Sequence, residues 1–426
     1  MTKSAKIKKN HSFIILKKLV IVSALIGFLS SFMGIVLKRS TEYYEDIFLE
    51  RANNHLVFYL LFPFIGLSLI YFLRQYVFRK KENKGIKEVF DSTTNKTNNL
   101  PAYKIPSHFI NGFLTVIFGG STGIEISTVV AAATIGSVAQ RKKNIFRKYK
   151  TELICAGVAA GITALFGSPI AGLLFAYEVI SKKISNIFLL TTGIAVAIAY
   201  GLLLTINEPP LFAIHITTWH TNAIPYFILL GILAGLNAVY MTKTVLFIKG
   251  QFLKINTHFH KIILGSIILS AALLLFPQLY GEGYHSIKSI INSSNQSLVS
   301  LSLVVTLASI LILKPIVSSV TLAAGGDGGV FAPSLFIGAF LGLLTALCLN
   351  HLFDSDVIVL NFMVLGMGAV LSASINAPFT ALFLTLGLTN NYTLFLPILL
   401  VCFVSKYTAK MIFPHTVYSF IPKTAH

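Results

Sequence analysis

The sequence predicts an all-α polytopic membrane protein made of two repeats of broken helices. Three observations carry that prediction. The 426 residues are 55% hydrophobic and only 12% charged, with a mean hydropathy of +0.77. That is about half the charge fraction of a soluble domain, and several apolar runs reach the ~20 residues a bilayer span needs. Second, one apolar run, Phe118 to Gly136, is interrupted by Gly119, Gly120 and Gly123 and carries a lone carboxylate, Glu125. Third, two glycine- and proline-bearing blocks of the first half recur in the second half in the same order.

Taken in order, residues 1–18 hold six lysines and no acid and read as a basic cytoplasmic tail. Its length and the absence of a small-residue cleavage site argue for a retained first span, not a signal peptide. Spans are expected at Leu19–Leu37 and Leu56–Phe78, then Ile187–Leu204, Pro225–Val245 and Val299–Val320. Glu42, Glu45, Asp46 and Glu50 follow the first span. Arg79, Lys80, Lys81, Lys84 and Lys87 follow the second, and Arg141, Lys142, Lys143, Arg147, Lys148 and Lys150 form a third basic group. A net charge of +19 in a soluble chain would point to nucleic acid. Here the positives sit in short loops, where they set topology. The N-terminus and both basic loops are therefore expected in the cytoplasm of a multi-pass protein of the cell membrane, with no nucleic-acid partner.

Residues 107–140 must then enter and leave on one side. The glycine break leaves helices of roughly 18 and 25 Å, too short for a ~30 Å core. A re-entrant pair meeting at Gly119–Gly123 is expected, lining a cavity or buried in protein. A helix starting near Ile124, with Ser121 or Thr122 as a possible cap, would aim unpaired N–H groups and a partial positive charge at an anion. An ionisable residue in an apolar segment, Glu125, is a functional candidate.

Residues 151–182 form a second broken unit, with Gly157, Ala160, Gly161 and Ala164 permitting close helix contact and Gly167-Ser168-Pro169 interrupting it. Residues 207–222, with His215, Trp219 and His220, and residues 277–298 are polar loops. Gly325-Gly326-Asp327-Gly328-Gly329-Val330-Phe331 then mirrors Gly119-Gly120-Ser121-Thr122-Gly123-Ile124-Glu125, 206 residues on. Residues 376–389 mirror 167–180 at an offset of 209. The organisation is thus residues 19–206 as a first repeat and 223–412 as a second, with 413–426 as a C-terminal segment and no regulatory domain after it. Matching broken helices in two halves are the mark of a repeat transporter. Asp327 is expected to cap the helix near Gly329, and Lys314 to snorkel or pair with a carboxylate. Cys155, Cys348 and Cys402 lie in apolar runs without metal-ligand spacing, so they read as packing residues. No metal or cofactor is expected.

These residues resemble the CLC chloride channel and proton–anion antiporter family over nearly the whole chain. The family's G-R/K-E-G-P signature stands as Gly123-Ile124-Glu125-Ile126-Ser127, keeping the glycine and glutamate. G-x-F-x-P is intact as Gly329-Val330-Phe331-Ala332-Pro333. G-S-G-I-P aligns with Asn83-Lys84-Gly85-Ile86-Lys87, so the anion-contacting serine becomes Lys84. The pore tyrosine matches Tyr418. The resemblance implies a homodimer of two inverted repeats per subunit, passing chloride or a similar small anion. The anion would meet the amides of Gly123, Ile124, Val330 and Phe331, the Tyr418 hydroxyl and Lys84, with Glu125 as gate. In the family's exchangers the second glutamate of an E-E pair relays protons. Here the pair is Glu178-Val179, which leaves Glu125 and Glu178 as the proton-pathway candidates and favours a channel or weak coupling over strict antiport. A cation-coupled carrier using Glu125, Glu178 and Asp327 is the alternative from the residues alone. An enzyme is not expected, because no HExxH, GxSxG or paired-aspartate motif is present.

Overall fold

The helices pack in two similar halves, and the two halves meet at their glycine breaks. The computed structural model describes residues 3–79, 83–95, 97–141, 144–212, 214, 216–293 and 300–418. Lys80, Lys81, Lys142, Lys143 and His215 lie outside the described residues, as do most of 413–426 and the end of the 277–298 loop. The first half comprises α1 (Lys3–Asn54), α2 (Val57–Phe72), α3 (Ile86–Thr94), α4 (Lys104–Ile117), α5 (Glu125–Arg141), α6 (Lys150–Phe166), α7 (Pro169–Phe175) and α8 (Asn186–Thr205). The second comprises α9 (Ile224–Leu253), α10 (His258–Leu275), α11 (Tyr284–Ser293), α12 (Leu301–Ala324), α13 (Phe331–Phe353), α14 (Val359–Ile375), α15 (Pro378–Thr389) and α16 (Phe395–Ile412). Among the described residues nine helical segments are long and apolar enough to cross a bilayer. The predicted spans at 19–37, 187–204 and 225–245 fall inside α1, α8 and α9; that at 56–78 covers α2 and the π-turn after it, and that at 299–320 overlaps α12 from Leu301 onward, Val299 lying outside the described residues.

The first helix differs from expectation. It begins at Lys3, inside the stretch read as a tail, and continues through the acidic residues to Asn54. Hydropathy marks where a span leaves the apolar phase, not where the helix ends. Acids on a helix remain compatible with it when they face partners, and Glu45 is 6% exposed.

Local chemistry explains the ends of the other helices. Ser168, Ser185, Thr257 and Ser300 sit at N-caps, each accepting from the amide three residues on. Pro169 and Pro378 open α7 and α15, where a missing N–H costs nothing. α6 and α14 end at matching positions, on Gly167 and Asn376, both left-handed. The short helices α4 and α5, with 14 and 17 residues, are the expected broken pair.

Packing is closest where small residues let backbones touch. A Cβ added to Gly136 would lie 2.2 Å from the Leu153 carbonyl oxygen, and one on Gly157 would lie 2.2 Å from that of Ala132, which fixes α5 on α6. The second half repeats this, with Gly338 at 2.2 Å from the Gly366 oxygen and Gly342 at 2.0 Å from that of Phe362, which fixes α13 on α14. Without a hydrophobic drive between helices in lipid, such close van der Waals approach is a main source of association. Leucine, isoleucine and phenylalanine side chains cover the outside of α1, α2, α9 and α10.

One ion pair ties the 207–222 loop to α1. Glu208 accepts from Lys38 Nζ at 3.0 Å, and Arg39 Nη2 lies 2.7 Å from its other oxygen. Burial alone would raise the Glu208 carboxyl, but Lys38 and Arg39 outweigh it and hold the group below its usual range. A depressed carboxyl contributes stability above its unfolded value of ~4.3, and loses it as pH falls through the folded value. The melting temperature of the detergent-solubilised protein should therefore drop more steeply below about pH 4.3 than that of Glu208→Gln. Parallel melting curves for the two proteins would contradict this.

Candidate functional site

The site is built where the two glycine breaks cross. Gly119 and Gly325 occupy equivalent positions and both take positive φ, +81° and +116°, which a side chain would strain. Each turn is closed in the same way. Gly120 N–H donates to the Thr115 carbonyl at 2.8 Å, and Gly326 N–H to the Thr321 carbonyl at 2.9 Å. The turns then exchange side chains: Ser121 N–H donates to Thr321 Oγ1 at 3.1 Å, and Asp327 N–H to Thr115 Oγ1 at 2.9 Å. Gly123 and Gly329 pair as an antiparallel bridge, N–H to carbonyl at 3.3 and 3.2 Å. Every one of these pairs is related by the 206-residue offset. A matched set of bonds running both ways is what a local two-fold between inverted repeats produces.

Two helix starts leave this crossing. Glu125 is the first residue of α5, and its repeat equivalent Phe331 is the first of α13. Their first amides have no acceptor within the helix, so both starts present partial positive charge. Glu125 is 2% exposed. Tyr284 donates to its Oε1 at 2.6 Å. A Cβ on Gly123 would meet Oε2 at 1.9 Å and Ala332 Cβ at 2.7 Å, so the carboxylate lies between the start of α5 and the start of α13. The Tyr418 hydroxyl is buried beside the Val330 amide, and it would stand 3.3 Å from a Cβ on Gly329. Phe331 is fully buried against Phe166 and Phe175, ring centroids 6.2 and 5.6 Å away. The crossing thus gathers Gly123, Glu125, Val330, Phe331 and Tyr418 from distant parts of the chain.

Other expected residues take different positions. The Ile124 amide is already bonded, to Glu282 Oε1 at 2.8 Å. Lys84 has an exposed side chain, and its own amide donates to Glu88. The following Gly85 lies near Ile126, so Lys84 stands at the edge of the site and not inside it. Glu178 does not join Glu125. Its Oε2 accepts from the Thr380 amide and hydroxyl, both at 2.7 Å, capping the first turn of α15. Asp327 does not cap α13, whose N-cap Val330 has no side-chain bond. Its carboxylate instead reaches the first repeat, bonding Asn83 Nδ2 at 2.6 Å and His108 Nδ1 at 3.1 Å. The first repeat offers buried donors there, while the start of α13 is turned to the crossing. Lys314 is fully buried. It donates to the Gly281 carbonyl at 3.1 Å and lies 4.6 Å from the centre of the Phe336 ring.

Sequence reasoning missed Glu282, Tyr284 and Glu45. Glu282 and Tyr284 fall in the polar loop 277–298 and Glu45 beyond the first apolar run, where hydropathy alone marks no burial. The available signal was Gly281-Glu282-Gly283-Tyr284, an acid between two glycines in a chain with only 15 acids.

Two helix starts and a phenol converging on a buried point suit a small anion, held by partial charges weak enough to release it. The Glu125 carboxylate is itself an anion tethered there.

The chain is similar to known proteins over most of its length. A family model described as "Voltage gated chloride channel" matches residues 65–410. A putative chloride channel protein ClcB-like from Ralstonia nicotianae is 27% identical over 375 residues, covering 84% of each chain. An H(+)/Cl(-) exchange transporter ClcA from Vibrio parahaemolyticus is 26% identical over 431 residues, covering 94% of this chain and 88% of its own. Among solved structures, a slow cyanobacterial Cl-/H+ antiporter superposes with a TM-score of 0.79 at 20% identity, covering 94% of this chain and 96% of its own. A CLC-type fluoride/proton antiporter gives 0.77 at 23% identity, covering 95% and 97%.

Proposed function

Because the chain belongs to the voltage-gated chloride channel family, we propose that it carries chloride or a similar small anion across the membrane through the crossing of its two repeats, as a channel or an exchanger. We further propose that Glu125 gates that path. The observation that carries this is the position of the Glu125 carboxylate, against Gly123 and facing Ala332, between two helix starts. Ionised, it competes with the anion for the same partial charges. Protonated, it loses that attraction and leaves the site to the anion. Tyr418 supplies a hydroxyl donor, and the first amides of α13, at Val330 and Phe331, supply the second helix start. Lys84, exposed at the edge, steers anions toward the entrance. Glu178 holds α15 in place, which favours weak coupling over strict antiport.

The named relatives are transport proteins, and we read this chain as a transporter and not an enzyme. It works as a homodimer with one path per subunit, in the cell membrane, with its basic N-terminus in the cytoplasm. No metal or other cofactor is needed for a site made of amides, a phenol and a carboxylate.

Purified protein reconstituted in liposomes should release chloride down its gradient. Failure to carry any small anion at any pH between about 4 and 8 would overturn the proposal. The reversal potential under combined chloride and proton gradients separates the two modes. A channel reverses at the chloride potential, and a coupled exchanger is displaced from it by the proton gradient.

A further inference from the structure

A second carboxylate reaches the start of α5 from a different part of the chain. The loop between α10 and α11 carries Gly281-Glu282-Gly283, and both glycines take positive φ, +55° and +88°. A Cβ at Gly281 would overlap Glu45, at 1.9 Å from Oε1, and one at Gly283 would overlap the Phe336 ring, at 2.4 Å. The two glycines let the loop press close, and the Glu282 side chain enters the protein. Glu282 is 2% exposed. Its Oε1 accepts from the Ile124 amide at 2.8 Å, and its own amide donates to Glu45 Oε1 at 3.0 Å. Two residues on, Tyr284 of the same segment donates to Glu125 at 2.6 Å. Behind the loop, Lys314 of α12 donates to the carbonyl of Gly281.

The Ile124 amide belongs to the helix start that Glu125 and an anion contest. From this geometry we infer that Glu282 is a second gating residue. It competes with the transported anion for the Ile124 amide and releases that amide when it takes up a proton. This rests on the reading of the crossing as an anion path. The proton adds to one Glu282 oxygen, making a neutral acid. The Ile124 N–H then bonds the arriving anion, and the proton leaves when the carboxylate returns.

The groups facing Glu282 are Glu42 and Glu45 of α1, Glu125 of α5, Tyr284 of α11 and Lys314 of α12. Glu45, Glu125 and Glu282 are all buried, and Lys314 is the buried ammonium among them. Three carboxylates packed this closely out of water cannot all remain ionised, so the protonation of each depends on the others. The buried Glu125 carboxylate lies beside its own amide and that of Ala332, at the same helix start. Lys314 limits how much negative charge the cluster holds, and Tyr284 links its two competing acids through one loop.

The test is chloride release from proteoliposomes as external pH is varied between about 4 and 8, in proteins from which the first gate has been removed. Glu125→Gln should keep a residual acid activation on the order of tenfold across that range. Glu125→Gln with Glu282→Gln should lose that residual activation, because glutamine keeps the carbonyl but cannot titrate, and the acid bonded to the Ile124 amide is Glu282. Glu125→Gln with Glu282→Asp should recover a slope. A flat profile in Glu125→Gln alone overturns the inference without any change at Glu282, and so does an unchanged slope in the double glutamine protein. In either case the chloride flux itself persists and the anion path stands. Absence of flux in the wild type would instead overturn both.

Discussion

Glu125→Gln should raise chloride flux at about pH 7.5 by roughly tenfold and remove the share of acid activation that Glu125 itself supplies. Glutamine has the size of the protonated side chain and no charge. The carboxylate of the wild type sits between the starts of α5 and α13, each of which attracts a full negative charge by roughly 0.3–2 kcal/mol. Losing about 1.4 kcal/mol of that attraction empties the site tenfold more often. Tyr284 still has a carbonyl to donate to, so the fold near the crossing is preserved. The measurement is chloride efflux from liposomes at about pH 7.5 and about pH 4.5, wild type against variant. The variant should show roughly tenfold less acid activation between the two than the wild type. Equal rates at the higher pH would remove Glu125 from the path.

The second large effect concerns the scaffold that aims α13. Gly338→Leu should prevent recovery of folded protein, or destabilise it by about 3 kcal/mol or more. The new Cβ would lie 2.2 Å from the Gly366 oxygen, which is backbone and cannot turn aside. α13 and α14 would separate, and the amides at Val330 and Phe331 would lose their aim. Gly193→Ala on α8 is the matched control. No heavy atom lies within 4 Å of its Cβ, so it should be neutral or gain up to ~1 kcal/mol of helix propensity. Monodisperse yield and melting temperature report both. A Gly338→Leu protein that melts with the wild type would refute the close crossing of α13 and α14.

The repeat and the site's skeleton were legible because glycine spacing survives where side chains diverge. The 206-residue offset read from Gly119 and Gly325 reappears as paired hydrogen bonds through Thr115 and Thr321. Glu125 stood out as a lone acid in an apolar run, and Tyr418 through its resemblance. The electrostatic surroundings were not legible. Glu45 looked solvated because it follows an apolar run, yet α1 continues past that run and buries it. Glu282 reaches Ile124 across 158 positions of sequence, and no local pattern encodes that contact. Asp327 and Glu178 bind partners 219 and 202 positions away, His108 and Thr380, so their roles depended on how the halves dock. Lys84 was placed by a signature of which only Gly85 and Ile86 remain, and the backbone there turns its side chain outward.

The central claim is that two helix starts share one anion, with Glu125 as its tethered rival. Crystals of Glu125→Gln grown in bromide test it most directly through anomalous scattering. A bromide peak between the Gly123 and Phe331 backbones, within reach of the Tyr418 hydroxyl, is the predicted result. A crossing with no peak, in crystals where bromide binds elsewhere along the helices, would contradict it.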